Sequence, residues 1–396
     1  MSYQLDSIAL ENRVNTLPVK IVLLLIGTLT VMSGATIAPS LPAMQDYFKA
    51  VPNSEYLVRL ALTLPALFIA LGAPIVGILI DKFGRKPILL FSLALYGIAG
   101  SSGFILSSLE SMLVGRAFLG ISVAGIMTIA TTLVGDYYSG NSRAQFLGLQ
   151  SAFMGLGGVL FLSIGGFVAD LNWRFPFLIY LMALILLPCT FLFLPEPQRN
   201  SPGTVNTDAA ATKFPLAPVA ITYGIALISQ IVFYLIPVQL PFYLKQIANA
   251  NASQSGLAIA LATLFSAISS LNFRRLKAKL DFTAIYGISF VNIAMGYALI
   301  AWAANYPIVG MGLILTGLGL GLLMPNMNFY LTSITPDHLR GRVLSGITTA
   351  FFLGQFLSPL ISQPLSKSIG LGSTYGVAAL VMVVLTGAVM LFLKQK

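Results

Sequence analysis

Asp81, Arg85 and Lys86 stand in a short segment, Gly77-Ile-Leu-Ile-Asp81-Lys82-Phe83-Gly84-Arg85-Lys86-Pro87, that interrupts two long apolar runs. A carboxylate at such a turn can accept from the free N–H groups of a helix N-terminus and meets the positive end of its dipole, an interaction worth about 0.3–1 kcal/mol. A second centre is Arg116, in Leu113-Val-Gly-Arg116-Ala-Phe-Leu-Gly120, with apolar sequence on both sides. If that sequence crosses a membrane, an ionisable group there costs several kcal/mol unless it faces a wet cavity or a partner. The chemistry within reach of these residues is capping, ion pairing and proton exchange, not bond making. No Gly-Lys-Ser/Thr phosphate loop and no nucleophile elbow occurs, so neither ATP-driven transport nor enzymatic turnover has a basis in the sequence.

The elements that must position these groups follow from composition. With 57% hydrophobic and 9% charged residues in 396, and a mean hydropathy of +0.88, the chain cannot cover itself with a soluble surface. Apolar runs long enough to cross about 30 Å of hydrocarbon as helices recur along it. They lie at approximately 19–42, 57–80, 87–106, 110–135, 145–169, 175–194, 216–244, 254–273, 282–304, 307–332, 342–366 and 373–393. The fold class expected is therefore all-α integral membrane, with twelve transmembrane helices and both termini cytoplasmic. That topology puts sixteen of the 22 basic residues inside, leaving Lys49, Arg59, Arg174, Lys245 and Lys367 in outward loops and Arg116 within a span. Orientation accounts for the net charge of +10 better than nucleic acid does, because the basic residues are dispersed among the spans and form no patch. The single cysteine, Cys189, falls in a span and excludes a disulfide within the chain. His338, the lone histidine, lies in a loop beside Asp337, Arg340 and Arg342, where neither metal binding nor catalysis is expected of it.

From Pro195 to Pro215 the sequence has linker composition. Three units result: a first bundle over 1–194, a cytoplasmic linker over 195–215 and a second bundle over 216–396. The two bundles match at a shift of roughly 197 to 199 residues: Leu41-Pro42 answers Leu240-Pro241, Gly120 answers Gly317, and Arg143 answers Arg340. At the same shift Ser333 and Leu313 stand where the first half has Asp136 and Arg116. The duplication supplies a scaffold of two pseudo-symmetric six-helix bundles, while the gating charges belong to the first.

The segment Gly77, Asp81, Gly84, Arg85, Lys86 resembles the signature of the major facilitator superfamily, which has a glycine, an aspartate four residues on and then a Gly-Arg-Lys group in the loop after its second helix. By that resemblance Asp81 caps the N-terminus of helix eleven in the other half, Arg85 pairs with Asp136 at the end of helix four, and the cluster holds the outward-facing state shut on the inside. A second reading makes these charges topology signals in a tight turn. The family also has an arginine and glycine four apart in helix four, tied to proton coupling and matched here by Arg116 and Gly120. The alternative for Arg116 is snorkelling to the headgroups. Gly157, Gly165 and Gly166 follow the family's glycines in helix five, but Phe161-Leu162 replaces the Gly-Pro pair of its proton antiporters. Those glycines serve helix packing in either case. The ending Ala38-Pro39-Ser40-Leu41-Pro42 is most similar to twelve-helix bacterial drug and metabolite exporters of the drug:proton antiporter group.

All twelve carboxylates fall in tails, loops or span ends. Exchange of lipophilic cations for protons commonly needs a buried acid, so export of strongly cationic drugs is disfavoured. Asp46 and Glu55 near the outer mouth remain as protonation sites for coupling. Gln150, Gln230, Tyr234, Gln239, Asn326, Asn328 and Gln355, with Phe233 and Phe242 as apolar walls, are candidates to line a central substrate cavity, each with helix-to-helix bonding or lipid contact as the alternative. The expectation is a secondary active exporter of a small drug or metabolite in the bacterial cytoplasmic membrane, working by alternating access. It needs no cofactor beyond a proton gradient, no metal and no nucleic acid, and its partners are a small-molecule substrate and the lipid bilayer around a monomer. Import of a sugar, organic acid or peptide-like nutrient, or export of an anionic or zwitterionic metabolite such as a siderophore, stays open.

Overall fold

A computed structural model describes residues 14–197, 214–336 and 339–392. The N-terminal lead, most of the linker and His338 lie outside the described residues. Among the described residues there is no strand, and twelve helices are long and apolar enough to cross a membrane. They are α1 (Leu17–Tyr47), α2 (Ser54–Phe83), α3 (Arg85–Phe104), α4 (Leu109–Tyr137), α5 (Gly140–Leu171), α6 (Phe175–Phe193), α7 (Leu216–Ala248), α8 (Ala252–Lys277), α9 (Phe282–Ala301), α10 (Tyr306–Ile334), α11 (Arg340–Ile369) and α12 (Leu371–Leu391). Several run a turn or more past the expected spans, because helix ends carry polar residues that apolar periodicity does not register.

Local chemistry sets the boundaries. Asn251 and Gln254 form a reciprocal capping box at the start of α8, and Asp281 and Asn305 accept from the third backbone N–H of α9 and α10. Prolines break α1 and α7, the first helix of each bundle. The helix Leu17–Ala35 stops where Pro39 cannot donate to the carbonyl of Ala35, and α1 resumes at Leu41 after one tight turn. Pro237 likewise cannot donate to Phe233, and α7 is interrupted at Tyr234.

Helix pairing in the first bundle recurs in the second six helices later. Helices α2 and α3 pack on α4 as α8 and α9 pack on α10, and α1 packs on α5 as α7 packs on α11. The close approaches keep register as well. Gly120 of α4 faces the Pro65 carbonyl and Phe68 Cβ of α2, while Gly317 of α10 faces the Ala262 carbonyl and Phe265 Cβ of α8. A side-chain carbon on either glycine would strike the facing carbonyl oxygen. Between bundles α5 lies along α8 and α2 along α11. Large apolar side chains such as Ile78, Phe91, Leu192, Leu380 and Leu391 stand exposed on the outside, as in a multi-pass membrane protein whose surface is covered by lipid.

Candidate functional site

The end of the molecule that carries Lys82, Arg85 and Lys86 is termed the basic end and the other the far end. At the basic end Arg85 Nε donates to Asp136 Oδ2 over 3.1 Å. Glu196 receives the backbone N–H of Arg85 at 2.7 Å and of Lys86 at 2.6 Å, one on each carboxylate oxygen, and so caps α3. Pro195 is held by the Tyr137 hydroxyl, so the first residues of linker composition are fastened to the first bundle. Beside them Tyr138 donates to the Val14 carbonyl over 2.9 Å. Burial pushes its hydroxyl up to about 12, which keeps it a donor at neutral pH. Asp81 is exposed, and α11 begins at Arg340 with no side-chain cap. The structure thus joins Arg85 to Asp136 and leaves Asp81 apart from the helix it was expected to cap. Lys86 Nζ reaches the Phe191 carbonyl at 2.7 Å.

Arg116 is 2% exposed, enclosed by protein and not reaching to headgroups. Its Nη1 donates to the Tyr180 hydroxyl over 3.1 Å, and the guanidinium lies 4.6 Å from the Phe177 ring centroid and 4.9 Å from that of Tyr180. Its Nη2 is buried without a hydrogen-bond partner among the described residues. Tyr180 and Tyr96, with rings 5.7 Å apart, donate to the carbonyls of Ser33 and Leu29 on α1, just before its break. The second bundle repeats the device. Tyr297 and Tyr375, also 5.7 Å apart, donate to Val232 and Leu235 at the break in α7, but Leu313 fills the place of the arginine. Nothing in the apolar patterning distinguishes these four tyrosines, and they do not stand at the repeat shift that relates Gly120 to Gly317.

At the far end carboxylates of the first bundle meet the second. Asp46 pairs with Lys245 at 2.7 Å and Glu55 with Lys367 at 2.8 Å. Asp170, at the end of α5, receives the N–H groups of Ala252 (2.8 Å) and Ser253 (3.2 Å) and caps α8 across the bundle boundary. Between them lies Arg59, which corrects the assignment to an outward loop. Because α2 starts at Ser54, Arg59 falls in its second turn and is only 4% exposed. Arg59 Nε donates to Gln239 Oε1 of α7 over 3.0 Å, its Nη1 to Gln45 and to the Glu55 carbonyl, both at 2.8 Å, and its guanidinium lies 3.8 Å from the Phe242 ring centroid. Gln239 in turn donates to Ser362 and Gln363 of α11. Arg59 and Arg116 are the charged side chains buried among the described residues, and no described carboxylate is buried.

The remaining candidates divide. Gln230 and Gln355 meet at 3.3 Å, and Phe233 and Tyr234 are half-buried beside them at the α7 break, with the Tyr234 hydroxyl against Gly34 of α1. Gln150 packs on Gly27 of α1, and Asn326 donates to the Phe282 carbonyl, tying α10 to the start of α9. Asn328 is half-buried on α10. Gly157 faces Thr28 and Gly165 the Thr36 carbonyl, both on α1, while Gly166 faces Ala252 and Ser253 of α8. Gly77 has open space around it, and Gly84 takes φ +94°, a conformation that the tight turn requires of a glycine.

Comparison with known proteins places this geometry. The family model described as Major Facilitator Superfamily matches residues 23–279 and 222–396. The chain is 24% identical over 354 residues to the class H tetracycline resistance protein of Pasteurella multocida, covering 86% of this chain and 87% of that one. It is 23% identical over 355 residues to the bacillibactin exporter of Bacillus subtilis (strain 168), covering 85% and 87%. Among solved structures, a D-xylose-proton symporter superposes with a TM-score of 0.78 at 16% identity, over 92% of this chain and 96% of the other. A bacterial homologue of the human lysosomal transporter Spinster, in an inward-facing and unoccupied conformation, does so with 0.77 at 17% identity, over 93% and 95%.

Proposed function

The chain belongs to the Major Facilitator Superfamily, and from that premise we propose that it exports a small organic drug or metabolite across the bacterial cytoplasmic membrane by alternating access, in antiport with protons. The observation that carries the direction is the likeness, over 85% or more of the chain, to a tetracycline resistance protein and a siderophore exporter. Within that reading the basic end is cytoplasmic, since Lys82, Arg85, Lys86 and the run Arg274, Arg275, Lys277, Lys279 gather there. The far end is then the outer mouth, and the bonds across it support an inward-facing state.

The polar pair Gln230 and Gln355, with Tyr234 and Phe233, forms the substrate site where the two bundles face each other. Among the described residues, two buried guanidiniums and no buried carboxylate favour neutral, zwitterionic or anionic solutes in the interior. Asp46 and Glu55 are the carboxylates placed to exchange protons with the outside, while Arg116, beside Gly120, braces α1. The protein acts as a monomer and needs no cofactor.

Purified protein in proteoliposomes with an imposed proton gradient tests the reading. Tetracycline and bacillibactin should accumulate against their gradients when protons flow the other way, and collapse of the gradient should stop them. A second reading, sugar import, is favoured by the fold of the xylose symporter alone. Counterflow of xylose without movement of either exporter substrate would establish it and overturn the first.

A further inference from the structure

Glu55 and Arg59 lie four residues apart on α2, the spacing at which opposite charges on a helix pair directly. Here they do not pair through their side chains. Arg59 Nε donates to Gln239 Oε1 over 3.0 Å, Gln239 Nε2 donates to Gln363 Oε1 over 3.1 Å, and Gln363 Nε2 donates to Glu55 Oε2 over 3.1 Å. Arg59 Nη1 donating to the Glu55 carbonyl closes the ring. The two charges of one helix are thus bridged by two amides, both from the other bundle. Gln239 is fully buried and Gln363 is 3% exposed. Each amide has one sense only: its oxygen faces the cationic side and its NH2 the anionic side.

We infer that this ring is a two-state gate in which Arg59 and Glu55 exchange partners when the far end opens. The inference rests on the alternating-access reading. Parting the bundles cuts the ring at two bonds, Arg59 to Gln239 and Gln363 to Glu55, and also removes Lys367 from Glu55 and the Phe242 ring from Arg59. Arg59 Nη1 keeps Gln45 and the Glu55 carbonyl, both of its own bundle, but Nε loses its acceptor, and a donor of a buried charged group left without a partner would hold the gate shut. The two charges sit on successive turns of one face, so the separation that strips Arg59 Nε of Gln239 frees Glu55 to take its place. The charge is satisfied in either state, and the state in between is the disfavoured one. That is what a bistable element requires. Gln239 and Gln363 are gating residues of the closed form, and the Glu55–Arg59 pair belongs to the open form.

The test is a distance measurement at the far end, independent of substrate. Spin labels on Lys49→Cys and Ala248→Cys, both exposed positions, in a Cys189→Ser background report closed and open populations by double electron–electron resonance. Gln239→Met removes the bridge and should raise the open-to-closed ratio about tenfold, as expected for a lost bond to a charged group. Adding Glu55→Gln to Gln239→Met should reverse the change, because the open form then lacks its ion pair. A merely structural role predicts further opening. Lys367→Gln, on a half-exposed side chain, should open the gate modestly without threatening the fold, and replaces Gln239→Met if that variant does not fold. An unchanged ratio in the bridge variant, or further opening on adding Glu55→Gln, overturns the gate. A single distance in every variant and at every proton gradient would instead remove alternating access itself.

Discussion

Two carboxylates in this molecule do the same thing at opposite ends, and they differ in what they hold together. Glu196 takes two successive N–H groups at the start of α3, and Asp170 takes two at the start of α8. Each meets a helix dipole, with a gain of about 0.3–1 kcal/mol. Glu196 spends it inside one bundle, where it fastens the chain beyond α6 to the helix it belongs with. Asp170 makes its bond between bundles, so that bond depends on the two bundles meeting there. The basic end follows the first pattern, with Arg85 and Asp136 in one bundle. The far end follows the second, with Asp46, Glu55 and Asp170 all answered by the other bundle. A bond within a bundle adds stability in every conformation, whereas a bond across the boundary biases an equilibrium.

The strongest way to break this comparison is to make a far-end contact permanent. Asp46→Cys with Lys245→Cys, joined by a short bifunctional thiol reagent in the Cys189→Ser background, should reduce flux by more than about tenfold, because only one side of the cycle stays accessible. Substrate counterflow by the same variant without the reagent, which needs no proton exchange at Asp46, is the control. Continued flux in the joined protein would show that the far end need not open. Next in size is the contrast of caps. Asp170→Asn should raise the far-end open-to-closed ratio about two- to fivefold, the equivalent of one cap, as read by the label pair at Lys49 and Ala248. Glu196→Gln should leave that ratio alone and lower the melting temperature instead. Equal effects of the two on the ratio would erase the distinction drawn between them.

The sequence resolved the two ends unequally, for a physical reason. Twelve spans, the register of Gly120 with Gly317 and the contact of Arg85 with Asp136 rest on local pattern or on a short motif, and the helices and contacts show them. Arg59 was misplaced because a charge beside an apolar run looks like a loop charge. What buries it is Gln239, 180 residues away in the chain. Asp170 and Gln363 likewise act through residues of the other half of the chain, and the tyrosines at the two helix breaks look like any other aromatic in an apolar span. Gln150 and Asn326, polar residues in apolar runs, are engaged in packing within their own bundles, while Gln230 and Gln355 meet across α7 and α11. Periodicity says that a polar side chain is inside, and only the tertiary contacts say what it touches.

Asp81 gives the comparison its reverse. With the far end shut it is exposed and caps nothing described, so Asp81→Asn should not change the melting temperature of a protein held in this state. If its capping of α11 belongs to the opposite state, the same substitution should lower the far-end open population about twofold, opposite in sign to Asp170→Asn and within the range of a single cap. An unchanged population would leave Asp81 as a topology charge.

The smallest effect is that of salt. Asp46 and Lys245 keep 68% and 49% of their side-chain surface exposed, so their ion pair is worth at most about 1 kcal/mol and is screened as ionic strength rises. Arg59, Gln239 and Gln363 are buried and their bonds are screened far less, while the Glu55 side chain of the same ring keeps 41% of its surface exposed. Raising salt from about 0.1 M to 1 M shortens the screening length from about 10 Å to 3 Å, which should loosen the exposed pair and shift the label distances by less than about twofold in population. A collapse of the closed population in salt would mean that the exposed pairs hold the mouth. A ratio that barely moves means that the seal is the buried Arg59–Gln239–Gln363 chain and the Asp170 cap, with the surface pairs only steering the bundles together.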